Sequence, residues 1–165
     1  MEIAIKNTQR SIKVAPGSIR RVVRSALEHL SEGRIIKGRN LASGISFDPS
    51  RAVVSILFVG DKKMKELNRT YRGIERTTDV LSFSQLEGIL SPGGPADLGD
   101  IVINPSQAKR QATDTGVALD QEITALLIHG LLHLVGYDHE KNRYQAMKMR
   151  QKEKELLRAV KKVGR

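Results

Sequence analysis

Among its 165 residues the chain has no cysteine, so disulfides and thiolate metal sites are excluded, and the redox compartment is left open. No apolar run approaches the length of a membrane span. The N-terminus, Met1-Glu2-Ile3-Ala4-Ile5-Lys6, lacks the basic start and long apolar core of a signal peptide. Together these absences make a soluble cytoplasmic protein, with no membrane partner, the expectation. Repeats and low-complexity segments are missing too. One domain spanning 1–165 is expected, large enough for a core that needs no covalent staples.

Acidic residues are also scarce, 18 against 28 Lys and Arg, for a formal net charge of +10. The shortage is uneven. Residues 1–40 hold 9 Lys/Arg against 3 Asp/Glu, and residues 141–165 hold 10 against 2. The middle, 41–140, is slightly acidic, with 9 against 13. A basic protein without an anchor most often meets nucleic acid or the ribosome, so the basic ends point to a polyanionic partner.

What the chain does have is concentrated in one stretch. Three of its four histidines fall in Ile128-His129-Gly130-Leu131-Leu132-His133-Leu134-Val135-Gly136-Tyr137-Asp138-His139. From Leu119 to Val135 the sequence is apolar almost all round, the pattern of a buried helix. His129 and His133 are four apart and therefore lie one turn above each other on one face. Gly136 suits the left-handed position that ends a helix, after which the chain can swing back to present His139. Burying several polar rings in an apolar helix costs free energy unless each finds a partner, and one metal ion is a partner for all three. Three protein ligands leave a fourth position open, as in catalytic zinc sites. Zinc is the expected ion, one per chain, and imidazole also accepts nickel or copper. The spacing H-x3-H-x2-G-x2-H is also that of metzincin proteases. Those enzymes have Glu directly after the first histidine as general base, and this chain has Gly130, which cannot take a proton from water.

Along the chain, Ile3 and Ile5, then Ile12 and Val14, alternate with polar neighbours and suggest a first strand region. Pro16-Gly17 breaks it, and Ser18 can cap a helix carrying Ile19, Val22, Val23, Ala26, Leu27 and Leu30, which Gly33 ends. His29 lies on this helix as a surface or boundary residue. Gly44–Phe47 reads as a short strand and Ala52–Val59 as a stronger one. Asp61 caps a helix whose Met64, Leu67 and Tyr71 face inward. Thr78–Ser84 is a strand, Gln85–Leu98 a loop long enough for a mobile flap, and Asp100–Asn104 another strand. Asn104-Pro105 opens a helix ending near Gly116. After the histidine helix, a charged tail from about Glu140 to Lys162 is helical, with Tyr144, Met147, Leu156, Leu157 and Val160 facing inward. The sum is an α+β fold, a mixed sheet of about four strands packed with about five helices.

Three blocks in this order resemble the YbeY family of bacterial endoribonucleases: Leu67-Asn68-Arg69-Thr70-Tyr71-Arg72-Gly73 with Thr78-Asp79-Val80-Leu81-Ser82-Phe83, then Gly99-Asp100-Ile101-Val102-Ile103, then the histidine block. Gly130 and the closing Gly-Tyr-Asp-His separate the last block from metzincins. The resemblance implies a zinc-dependent endoribonuclease specific for single-stranded RNA. It further implies action in ribosomal RNA processing, 16S 3′-end maturation included, in ribosome quality control, and alongside the ribosome or its assembly proteins. It carries the metal ligands to His129, His133 and His139 and a functional arginine to Arg72. Three positions depart from the family pattern: Ile74 stands where lysine is frequent, and Thr77 and Ser84 where proline is.

Chemically, a guanidinium that forks onto phosphate oxygens makes Arg72 the best stabiliser of developing charge. Asp79 and Asp100 are placed to orient a base or partner. Asp138 is the acceptor expected for a ligand ring N–H, by adjacency to His139. No residue is an obvious general base, which leaves the metal's own water or the RNA 2′-OH to be considered. Two other readings stay open, a ribosome-associated protein with a mainly structural metal and a metalloprotease.

Overall fold

A computed structural model describes residues 1–31, 48–86 and 94–163, with the side chains of 162 and 163 outside it. Its frame is a mixed sheet of four strands, β1 (Glu2–Asn7), β2 (Ala52–Phe58), β3 (Val80–Ser84) and β4 (Ala96–Ile103). Their order is β1-β2-β4-β3, with β1, β2 and β4 parallel and β3 antiparallel to β4. Five α-helices occur among the described residues: α1 (Pro16–Ser31), α2 (Asp61–Arg72), α3 (Pro105–Thr115), α4 (Leu119–Leu134) and α5 (Arg143–Val163). The α+β class and the mixed sheet are as expected from the sequence.

The sheet separates two layers because its strands alternate. Val54, Ile56 and Phe58 of β2 and Ile101 and Ile103 of β4 pack with Val23 and Leu27 of α1 and with Leu127 and Leu131 of α4. On the opposite face Met64 and the half-buried Leu67 of α2 cover Val59, Leu81 and Val102. The outer side of α4 is closed by α5, through Ile128 and Leu132 against Met149 and Leu156. Enclosure between sheet and α5 is why α4 is apolar almost all round. It also sits close to the sheet. A Cβ at Gly130 would lie 2.8 Å from Cγ2 of Ile101.

Helix ends follow local chemistry. The Asn104 side chain accepts from the N–H groups of Ser106 and Gln107, Pro105 occupies the first turn, and Gly116 ends α3 in the left-handed region. Gly73 does the same for α2. Gly60, not Asp61, is the N-cap of α2. The Asp61 carboxylate instead receives a fork from Arg110 at 2.6 and 3.1 Å and the Asn104 amide at 2.7 Å, and Arg110 holds its carboxyl below the ordinary value.

Several sequence expectations shift. Ile12 and Val14 lie outside any strand. Strand β4 starts at Ala96, ahead of Asp100, since Ala96 and Asp97 already pair with Ala52 and Val53. The end of the expected flap is therefore strand, while its residues 87–93 lie outside the described residues. Gly33 and the Gly44–Phe47 strand lie outside them as well. Tyr71, Tyr144 and Met147, expected to face inward, are 63%, 57% and 49% exposed. On α5 the expected Leu156, Leu157 and Val160 do pack inward, and Met149 and Glu153 share that side of the helix in place of Tyr144 and Met147. No single helix among the described residues is long and apolar enough to cross a membrane.

Candidate active site

On α4, His129 and His133 present their rings one turn apart, with Nε2 atoms 3.1 Å from each other. The helix ends immediately after. The Gly136 N–H donates to the His133 carbonyl at 3.0 Å and the Tyr137 N–H to the Leu132 carbonyl at 2.9 Å, with Gly136 at φ +95°. That reversal returns His139 to the pair. Ring centroids are 4.7 Å (His129–His133), 5.3 Å (His129–His139) and 5.0 Å (His133–His139) apart. One ligand nitrogen from each ring falls within 4.8 Å of the others. Tetrahedral metal–nitrogen bonds of about 2.0–2.1 Å put two ligand nitrogens about 3.3–3.4 Å apart. The His129–His133 edge has nearly that length, so the donor set fits a metal ion.

The protonation state fits as well. Burial, followed by the proximity of His129 and His139, pushes His133 down to about 4. At neutral pH this ring is therefore uncharged, with a lone pair to offer a cation. His129 Nδ1 is 2.6 Å from Oε1 of Glu153 on α5. Sequence reasoning missed this partner. Its signal was a carboxylate on the inward stripe of a helix with few acids.

The rings open into a cleft of about 560 Å³, walled by β3 and by the C-terminal end of α2. Arg72 lines it, distant by 57 residues in sequence from His129. Its guanidinium is 3.3 Å from Oε1 of Glu140, which also lines the cleft. Asp79 is there too, its carboxylate accepting from Thr78 Oγ1, the Val80 N–H and Gln111 Nε2 at 3.1, 2.8 and 3.0 Å. Asp79 in turn helps burial to raise the carboxyl of Glu122.

Two aspartates stand differently from their expected parts. Asp138 lines the cleft, but its Oδ1 accepts from the Glu140 N–H at 2.8 Å, shaping the turn, and the carboxylate bonded to a cluster ring is that of Glu153. Asp100 lies outside the cleft and is exposed. Its neighbour Ile101 points at α4, so strand alternation sends Asp100 to the other face.

The departures at Thr77 and Ser84 both have partners. Thr77 Oγ1 accepts from the Asn104 amide at 3.0 Å and lies 3.4 Å from Asp61, which fixes the chain leading into β3. Ser84 Oγ donates to the Leu134 carbonyl at 2.9 Å, joining the end of β3 to the last turn of α4. A proline at 84 would lack that hydroxyl.

Comparison with known proteins places this architecture. A family described as Endoribonuclease YbeY matches residues 4–161. The Endoribonuclease YbeY of Thermodesulfovibrio yellowstonii is 38% identical over 161 residues, covering 98% of each chain. That of Syntrophus aciditrophicus is 38% identical over 158 residues, covering 95% of this chain and 88% of the relative. A solution structure of a Thermotoga maritima protein superposes with a TM-score of 0.56 at 25% identity, over 96% of this chain and 88% of that one. With a match reaching from β1 through α5 and spanning every element that builds the cleft, the chain belongs to the YbeY endoribonuclease family.

Proposed function

We propose that this protein is a zinc-dependent endoribonuclease that cuts single-stranded RNA during ribosomal RNA processing, including 16S 3′-end maturation, and in ribosome quality control. Its partners are then ribosomal RNA and the ribosome or its assembly proteins, and its compartment the cytoplasm. The observation that carries the reading is one cleft holding both a three-imidazole cluster and a half-exposed guanidinium, in a chain of an endoribonuclease family.

Zinc bound by His129, His133 and His139 would supply Lewis acidity towards a phosphoryl oxygen and towards water. The chain's own groups do the rest. Arg72 forks onto the phosphate and balances the charge that develops there. Tyr71, the residue before it, stands 63% exposed with its ring edge-on to Phe83 at 4.9 Å. A ring fixed on one side and open on the other is a platform for an unpaired base, and such stacking contributes about 1–3 kcal/mol per base. A base inside a duplex cannot use it, which favours single strands. Asp79, immobilised by its three donors, is placed to orient a substrate hydroxyl or water.

The test compares wild type with His133→Ala, both assayed for metal, on single-stranded RNA, duplex RNA and casein. The reading expects wild type alone to hold zinc and to cut single strands. Full RNA cleavage by the metal-free variant would leave the metal structural at most. Casein cleavage would turn the assignment to a protease.

A further inference from the structure

The segment 141–165 has ten basic residues and only two acids, Glu153 and Glu155. Both carboxylates meet histidines. Glu155 lies 3.0 Å from Nε2 of His29 on α1, and Glu153 lies 2.6 Å from Nδ1 of His129 on α4. The second contact is the unusual one. Glu153 occupies the inward stripe of α5, between Met149, 1% exposed, and Leu156, fully buried. An acid there loses hydration that an apolar residue would not miss, so its retention needs a compensating partner.

Resting on the metal reading above, we propose that Glu153 is the positioning residue of the metal centre. It accepts the Nδ1–H of His129 and so leaves the lone pair on Nε2, the nitrogen that faces His133.

Three observations converge on this. An imidazole donating at Nδ1 is the tautomer whose Nε2 is bare, and His129 Nε2 is the atom 3.1 Å from His133 Nε2. The 2.6 Å separation is short for a nitrogen–oxygen hydrogen bond, as expected of a charge-assisted one. Both side chains are shielded, at 31% and 25% exposure, so water competes weakly for the contact. The carboxylate also comes from a different helix than the ring. Helix α5 is thus a strut that sets the angle of a ligand on α4, while its other flank holds α1 through Glu155 and His29. Such carboxylate–histidine pairs orient ligands and raise their basicity, and losing the carboxylate typically costs 10–100-fold in metal affinity.

The experiment uses the full chain with zinc titrated against a competing chelator, and Glu153→Ala, Glu153→Gln and Glu155→Gln beside wild type. Glu153→Ala should weaken zinc binding 10–100-fold. Glu153→Gln, nearly isosteric, keeps an oxygen that can accept and should lose less. Glu155→Gln loosens the same helix on its far side and should bind zinc like wild type, which separates positioning from mere docking of α5. In metal-free protein labelled with ¹⁵N-histidine, wild-type His129 should show a protonated Nδ1 and a bare Nε2, and Glu153→Ala a mixture of tautomers. Zinc affinity of Glu153→Ala within twofold of wild type would overturn the proposal. So would an equal loss in Glu155→Gln, or an unchanged tautomer in Glu153→Ala. If wild type itself bound no zinc, the metal reading would fail, and the ring-nitrogen measurement would still decide the part of Glu153.

Discussion

Replacing Arg72 by alanine separates chemistry from folding. In the folded state its guanidinium forms one ion pair among the described residues, with Glu140 at 3.3 Å, and the two side chains are 47% and 66% exposed. A pair this open contributes about 0.2–1 kcal/mol. Arg72→Ala should therefore lower Tm by no more than about 4 °C for a chain of this size. Removing a pre-placed donor from developing charge typically costs about 10²–10³-fold in turnover, or about 2.7–4 kcal/mol. Single-turnover cleavage of a labelled single-stranded RNA should fall by that factor while bound zinc, measured by elemental analysis, stays at the wild-type ratio. Arg72→Lys keeps the charge without the fork and should fall between the two. The same ion pair makes an opposite prediction for Glu140→Gln. RNA must displace Glu140 from the guanidinium, so freeing Arg72 should tighten RNA binding by about 1.4–5-fold, the equivalent of about 0.2–1 kcal/mol. An Arg72→Ala protein that cleaves within twofold of wild type would remove Arg72 from the mechanism. Loss of zinc in that variant would show that the charge supports the cluster instead.

Three further outcomes are expected. Gly99 has φ +112°, and a Cβ there would lie 1.9 Å from the Phe83 carbonyl oxygen, so Gly99→Ala must part β3 from β4. It should cost more than about 3 kcal/mol in urea unfolding, and a cost under about 1 kcal/mol would refute the close approach. His133, pushed down from 6.5 to about 4, takes up its proton in the unfolded chain before the folded one. Stability of the metal-free protein is therefore fully present above pH 6.5 and falls as pH drops towards 4, by about 1–2 kcal/mol after solvent screening. A His133→Gln variant with the same pH profile as wild type would contradict it. On α5, Lys152 is engaged by Glu155 at 2.8 Å, whereas Arg150 and Lys154 are exposed. Neutralising these last two should lower the log–log salt slope of RNA binding by about 1 for each phosphate left without its cation, and an unchanged slope would leave them a solvated face.

How much could be read in advance follows from distance along the chain. The histidine cluster was legible because its geometry is local. Four residues make one turn, and Gly136 makes the reversal, so spacing alone brings three rings together. The position of Arg72 was not local. It depends on α2 crossing one face of the sheet while α4 crosses the other, and on β3 joining them at the sheet edge. Tyr71 misled because its spacing from Met64 and Leu67 is that of a core residue, while the end of the helix already overhangs the cleft. Asp100 misled through its block, where the hydrophobic neighbours do the packing and the acid faces away. Glu153 was hidden by composition. In a segment with ten cations and two acids, Glu153 reads as surface charge until Met149 and Leu156 are seen to flank it on the buried stripe.

The contact between Gly130 and Ile101 has a consequence for what this scaffold can become. In a metzincin the residue after the first histidine supplies a carboxylate to the reaction. Here the first atom of any side chain at 130 would collide with a fully buried isoleucine, with three of its carbons between 2.8 and 3.2 Å away. A glutamate at 130 would start by pointing into the sheet, with its carboxylate directed at hydrocarbon. Accepting it would require α4 to rise off β4, and the two histidines that ride on α4 would move with it. With α4 settled this deeply on its sheet, a side chain at 130 needs room in the core, which only a smaller residue at 101 or a lifted α4 provides.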